Sequence, residues 1–118
     1  MRATMQVVML DEQRTIVLGQ RPVPTPRPEQ VLVEVDLCGI CGSDLHAPDL
    51  PQVYRSGFVL GHEMSGRVVQ TGAEVSGWSI GDLVALNPNG NVCGACEYCL
   101  TGRPNFCHQA TMETALGL

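Results

Sequence analysis

The chain contains no lysine. Its seven basic residues are all arginine, set singly among twelve acidic ones, for a formal charge of −5 and a pI near 5.0. With no cluster of positive charge, no surface is offered to a phosphate backbone or an anionic membrane. With no lysine amine, Schiff-base chemistry and a phosphate-gripping P-loop lysine are excluded within these residues. No apolar run approaches the ~20 residues of a membrane span. The apolar N-terminal stretch Met1–Leu10 is short and meets Asp11-Glu12 at once, which argues against a secretory signal. A cytoplasmic location is expected, with neither membrane nor nucleic acid as partner. Also missing are a long amphipathic helix, a βαβ unit, any internal repeat, and the G-x-G-x-x-G turn of a dinucleotide-binding domain.

What remains is a chain of 118 residues, 44% apolar and 16% charged, which is one globular domain at most. Short strands are predicted over 4–10, 15–18, 31–37, 65–71 and 82–86. Residues 11–14 read as a turn and 48–58 as loop. Val31, Val33 and Val35 alternate with Glu34 and Asp36, the pattern of a half-buried strand. Between Arg21 and Gln30, prolines at 22, 24, 26 and 28 can join neither a ladder nor a helix, so this segment reads as an extended connector. Cys38 to Cys41 reads as a turn, with Ser43 capping a helical turn through Leu45. A further helical turn is expected near 97–100. The class is mainly β, a barrel or curved sheet with little helix. His108 to Leu118 carries Ala, Met and Leu with no obvious partner strand, so the chain reads as part of something larger.

Cysteine is concentrated. Cys93, Cys96, Cys99 and Cys107 form a C-x2-C-x2-C-x7-C run inside a loop rich in Gly, Pro and Asn. Such backbone turns tightly but buries little core, and four thiolates at this spacing can close a tetrahedron around one zinc, leaving no open position. Unrelated reduced thiols or a disulfide pair are the alternatives, the second requiring an oxidising compartment. Two further islands carry ligand-type residues: Cys38-Gly39-Ile40-Cys41-Gly42-Ser43-Asp44-Leu45-His46 and Gly61-His62-Glu63-Met64-Ser65-Gly66. On spacing alone, Cys41 and His62 are either ligands of a second metal or a small buried cysteine and a hydrogen-bonded histidine. Cys38-x-x-Cys41 also fits a redox dithiol, but its usual βαβ setting is absent. Cys38 is expected to be a buried bystander.

Together these segments resemble the zinc-dependent medium-chain alcohol dehydrogenases. Gly39-Ile40-Cys41-Gly42-Ser43-Asp44-Leu45-His46 resembles that family's catalytic-zinc loop, and Gly61-His62-Glu63-x-x-Gly66-x5-Gly72-x2-Val75 its zinc signature. Gly81-Asp82-Leu83-Val84 is similar to the strand that follows, and the four-cysteine run to its structural zinc lobe. Gly42 after the ligand cysteine leans toward the polyol and threonine dehydrogenase branches.

The resemblance implies a partial GroES-like β-barrel over residues 1–118, with a projecting four-cysteine zinc lobe at about 88–110 and no Rossmann domain. It implies two zinc ions per full-length subunit. The catalytic one would be held by Cys41 and His62, with Glu63 beside it and able to coordinate. The structural one would be held by Cys93, Cys96, Cys99 and Cys107. A small alcohol or polyol would be oxidised by NAD or NADP, bound through a domain absent here, in a homo-oligomer when full length. Ser43 would take the alcohol proton, His46 would pass it to solvent, and Asp44 would orient the His62 ring. The third catalytic-zinc ligand would lie beyond the matched stretch, and the chain alone would be inactive. Tyr54 or Ser56-Gly57-Phe58 would offer a near wall for the substrate. Each side chain also has a structural alternative: Ser43 a cap, Asp44 a turn brace, His46 a solvated surface group, Glu63 a partner for an arginine. Two other functions fit parts of the chain, a zinc-ribbon binding module and a stand-alone GroES-like structural module. The first lacks basic residues around its cysteines; the second has no use for the two ligand islands.

Overall fold

The computed structural model describes residues 3–88 and 92–110. The chain divides into two compact units, Met1–Ala85 and Leu86–Leu118. In the first unit, β1 (Thr4–Leu10) pairs antiparallel with β2 (Ile16–Pro22). A second antiparallel sheet has the order β3 (Val31–Gly39), β4 (Glu63–Thr71), β5 (Leu83–Ala85). Between β3 and β4 lie a short helix, α1 (Gly42–His46), and a 3₁₀ turn, Ala47–Asp49. The second unit holds α2 (Glu97–Leu100) and a 3₁₀ turn, Pro104–Phe106. The protein is mainly β with little helix, as the alternating pattern predicts. The described strands form two sheets and no closed barrel. The expectation for the chain after residue 110 lies outside the described residues, as does part of the turn at 87–91.

Several boundaries shift for identifiable reasons. β2 runs on through Arg21 and Pro22, the latter opposite Thr4 at the strand end, where a missing N–H costs no ladder bond. β3 extends to Gly39, so Cys38 lies on a strand and not in a turn. It is also exposed, contrary to its expected burial. Register breaks between Leu32 and Val33 and between Val35 and Leu37 disturb the alternation of β3. From Glu34 to Gly39 both faces of the strand are exposed, Val35 and Leu37 at 47% and 74%.

The buried cluster of this unit is Leu10, Ala47, Tyr54 and Leu60, with Leu50 and Phe58 against it. Tyr54 meets Phe58 edge to face at 5.2 Å. Tyr54 is thus a packing residue at 4% exposure. The segment 57–60 runs beside β1: Leu10 N–H donates to Phe58 O, Gly57 N–H to Leu10 O and Leu60 N–H to Val8 O. One core therefore fixes two chain segments, Ala47 just after α1 and Leu60 just before Gly61-His62. These are the segments that carry the ligand islands.

Candidate metal centres

Cys41 is the N-cap of α1, in extended conformation, in place of Ser43 as the sequence suggests. The reason is Asp44: placed three residues on, its carboxylate accepts the Cys41 backbone N–H at 2.9 Å, the returning half of a capping box. Its other oxygen faces the Gly61 N–H at 3.3 Å and His62 Nδ1 at 3.4 Å. Asp44 is buried, at 7% exposure, and its carboxylate ties the start of α1 to the segment entering β4. With Nδ1 turned to Asp44, His62 presents Nε2, which lies 3.4 Å from the Ser43 hydroxyl.

Two glycines make the approach possible. Gly61 has φ +97°, where a side chain is strained, and a Cβ there would stand 2.8 Å from Cys38 Sγ. Gly39 is paired with Glu63 across β3 and β4, and a Cβ on it would sit 2.6 Å from Glu63 Oε2. Glu63 therefore lays its carboxylate over a bare backbone. One ligand atom each from Cys41, His62 and Glu63 lies within 4.8 Å of the others. The Cys41 thiol is held below its ordinary range, chiefly by the Ser43 side chain and backbone N–H and then by His62, against burial and the Glu63 charge. Metal binding requires that thiolate, so the donor set fits a zinc-type ion with room for an external group.

Of the residues assigned to this centre by resemblance, the fold brings Cys41, Ser43, Asp44, His62 and Glu63 together. His46 stands exposed at the far end of α1, three positions after Ser43 and so on the same helix face. No hydrogen bond among the described residues joins it to the cluster.

The four-cysteine group is complete: Sγ atoms of Cys93, Cys96, Cys99 and Cys107 all lie within 4.8 Å of one another, and all are free thiols. Cys99 Sγ is 3.6 Å from Cys96 Sγ and 3.9 Å from Cys93 Sγ. A tetrahedron with zinc–sulfur bonds of about 2.3 Å has edges of about 3.8 Å, so these separations suit one zinc, whereas a disulfide needs about 2.05 Å. Backbone N–H groups point at the sulfurs: Ala95 and Cys96 at Cys93, and Cys93 and Gln109 at Cys107. Such donors favour thiolate. Cys96 is lowered to about 6, first by the Cys99 backbone N–H, while burial, with Cys96 beside it, pushes Cys99 up to about 12. The rest of the lobe is small. Tyr98 contacts Phe106 and His108 and carries the Arg103 guanidinium over its ring at 5.5 Å; His108 pairs with Glu97 at 2.9 Å.

Two clustered ligand sets on a mainly β chain, one closed and one open, are the arrangement of a candidate metal-binding β domain. Residues 27–118 match the alcohol dehydrogenase GroES-like domain family. The chain belongs to that family, as a segment of the zinc-dependent medium-chain alcohol dehydrogenases. It is 39% identical over 88 residues to a sorbitol dehydrogenase of Halalkalibacterium halodurans, covering 75% of this chain and 26% of that one. An L-threonine 3-dehydrogenase of Xanthomonas euvesicatoria is 38% identical over 105 residues, 86% of this chain and 31% of the relative. Among solved structures, a dehydrogenase of Sinorhizobium meliloti assigned as zinc-binding, in complex with NADP, superposes with a TM-score of 0.75 at 34% identity. The match covers 92% of this chain and 31% of that one. The chain thus spans roughly a quarter to a third of the length of these relatives. No described helix is long and apolar enough to cross a membrane.

Proposed function

We propose that this chain forms the zinc-binding part of a cytoplasmic dehydrogenase that oxidises an alcohol or polyol with NAD or NADP. The observation that carries the proposal is the meeting of Cys41, His62 and Glu63 beside Ser43 and Asp44, from chain segments about twenty residues apart. Zinc held there by Cys41 and His62 would supply a Lewis acid that lowers the pKa of an alcohol hydroxyl. Asp44 keeps the His62 ring turned with Nε2 toward the site. The Ser43 hydroxyl, 3.4 Å from that nitrogen, is placed to accept the substrate proton in a hydrogen bond. His46, exposed on the same helix face, passes it to solvent. Glu63, beside them, would offer a further carboxylate ligand. Names of the relatives favour a polyol or a hydroxy amino acid as substrate. No dinucleotide fingerprint occurs in these 118 residues, so nicotinamide binding is assigned to a domain outside them, and subunit pairing to the full-length protein.

Zinc content tests the assignment. In modest zinc excess the purified chain is expected to take up two equivalents. The tighter is lost in Cys96→Ser, which unfolds the lobe because structural zinc contributes folding energy. The weaker is lost in His62→Ala. Two equivalents that both survive His62→Ala would overturn the second site; a single equivalent held by the lobe would mean that this site waits for the ligand expected outside these residues. Alcohol-dependent reduction of NAD(P) by the 118-residue chain would overturn the division of labour.

A further inference from the structure

The turn between β1 and β2 holds a conformational outlier. Arg14 has φ +63°, and among the described residues it is the single non-glycine at positive φ. The hairpin turn around it is otherwise well satisfied: Arg14 N–H donates to Asp11 O, Asp11 N–H to Thr15 O, and Thr15 N–H to the Asp11 carboxylate. A left-handed residue closing such a turn is normally glycine, since a side chain there costs about 1 kcal/mol or more. Strain retained at one position points to something its side chain does.

That side chain leaves the hairpin altogether. The half-buried guanidinium donates from Nε to Pro48 O at 2.6 Å, from Nη2 to Ala47 O at 2.6 Å and from Nη1 to Tyr54 O at 2.9 Å. Three nitrogens of one planar fork each take a backbone carbonyl, 33 to 40 residues away in sequence. Ala47 and Pro48 follow α1, which begins at Cys41 and contains Ser43 and Asp44. Tyr54 opens the segment that runs beside β1 to Gly61-His62. Asp44 joins the same two segments at the opposite end of α1.

We propose that Arg14 is a positioning residue for the Cys41–His62 centre, clamping the carbonyl end of the ligand helix to the loop that delivers the histidine. Asp44 fixes the N-terminal end of α1 and Arg14 the C-terminal end, so the helix cannot swing Cys41 and Ser43 away from His62. The proposal rests on the reading of Cys41 and His62 as a metal site.

Arg14→Gly separates the clamp from the turn. Glycine is the residue the backbone prefers at φ +63°, so a turn role alone leaves the chain as stable as before or more so. With the clamp removed, the amides of Leu50, Val53 and Tyr54 should exchange at least about tenfold faster while Val68 in β4 is unchanged. Cobalt titration should show the second, weaker site bound about tenfold less tightly, with the four-thiolate spectrum unaltered. Should Arg14→Gly unfold the chain, Arg14→Lys, which keeps the charge but not the fork, gives the same comparison. Protection and second-site affinity equal to the unmodified chain would overturn the clamp. An unmodified chain whose second cobalt survives His62→Ala would refute the metal reading instead, and the exchange comparison would still show whether Arg14 holds the loop.

Discussion

Replacing Asp44 by alanine should damage one centre and spare the other. Its buried carboxylate receives the Cys41 N–H at 2.9 Å and the Gly61 N–H at 3.3 Å, and orients His62 Nδ1 at 3.4 Å. A short hydrogen bond to a carboxylate is worth about 1.5–3 kcal/mol, and the two longer contacts add about 0.5–1 kcal/mol each. Truncation strips all three donors of their acceptor in a site shielded from water, so a loss of about 3–4 kcal/mol is expected. That is a large share of the ~5–15 kcal/mol that holds a domain of this size together. The assay is urea unfolding at fixed, saturating zinc, followed by far-UV dichroism. With a slope of about 1–3 kcal/mol per molar urea the midpoint should fall by at least about 1 M. Metal affinity at the Cys41–His62 centre should fall by about ten- to a hundredfold, because the histidine loses the partner that sets its orientation. The four-cysteine centre should keep its metal. A midpoint shift under about 0.2 M, or equal metal loss at both centres, would refute the argument that Asp44 organises this site alone.

Gly61→Ala should destabilise the chain by about 1–3 kcal/mol and weaken the same centre, since the new methyl meets Cys38 Sγ at a backbone angle that side chains avoid. An alanine variant with unchanged unfolding midpoint and metal affinity would show that the positive φ is not what directs His62. In the lobe, hydrogen bonding and charge from Glu97 raise His108 above its ordinary 6.5, and the same bond lowers Glu97 below 4.5. The His108 contribution is complete below pH 6.5 and fades as pH rises through its folded value. The Glu97 contribution is complete above pH 4.5 and fades as pH falls through its folded value, so the pair supports the lobe most between those limits. Proton NMR titration should place the His108 midpoint above 6.5, and Glu97→Gln should bring it back; a midpoint that stays put would break the pairing.

Strand positions were legible because alternation and turn residues are local signals. Val31 to Leu37 and Ser65 to Thr71 announce themselves by period and by the glycines and prolines around them, and β3 and β4 contain them. What alternation cannot announce is a bulge. The register breaks in β3 depend on its partner, and so does the exposure of both its faces from Glu34 to Gly39. The helix start likewise depends on a contact that residue type does not announce: Ser43 is the better cap by type, but Asp44 reaches back to the Cys41 N–H and moves the helix start.

The two metal sets differ in how the chain encodes them. Cys93, Cys96, Cys99 and Cys107 lie within fifteen residues, so their spacing alone brings four sulfurs to one point, and nothing distant is required. Cys41 and His62 are 21 positions apart, and their separation in the chain is consistent with any separation in space. Four features close the gap: the Asp44 carboxylate, the bare backbone of Gly39, the positive φ of Gly61 and the guanidinium of Arg14. Three of these sit inside the ligand islands and share in their pattern. Arg14 sits in a hairpin turn 27 residues before the ligand cysteine, where its residue type suggests nothing and only its backbone angle shows that it is out of place. A site built this way is sensitive to substitutions far from its ligands, whereas the lobe is sensitive chiefly to its own cysteines. Cobalt affinity measured at both centres across Asp44→Ala, Gly61→Ala and Arg14→Gly should therefore vary at the open centre and remain constant at the closed one.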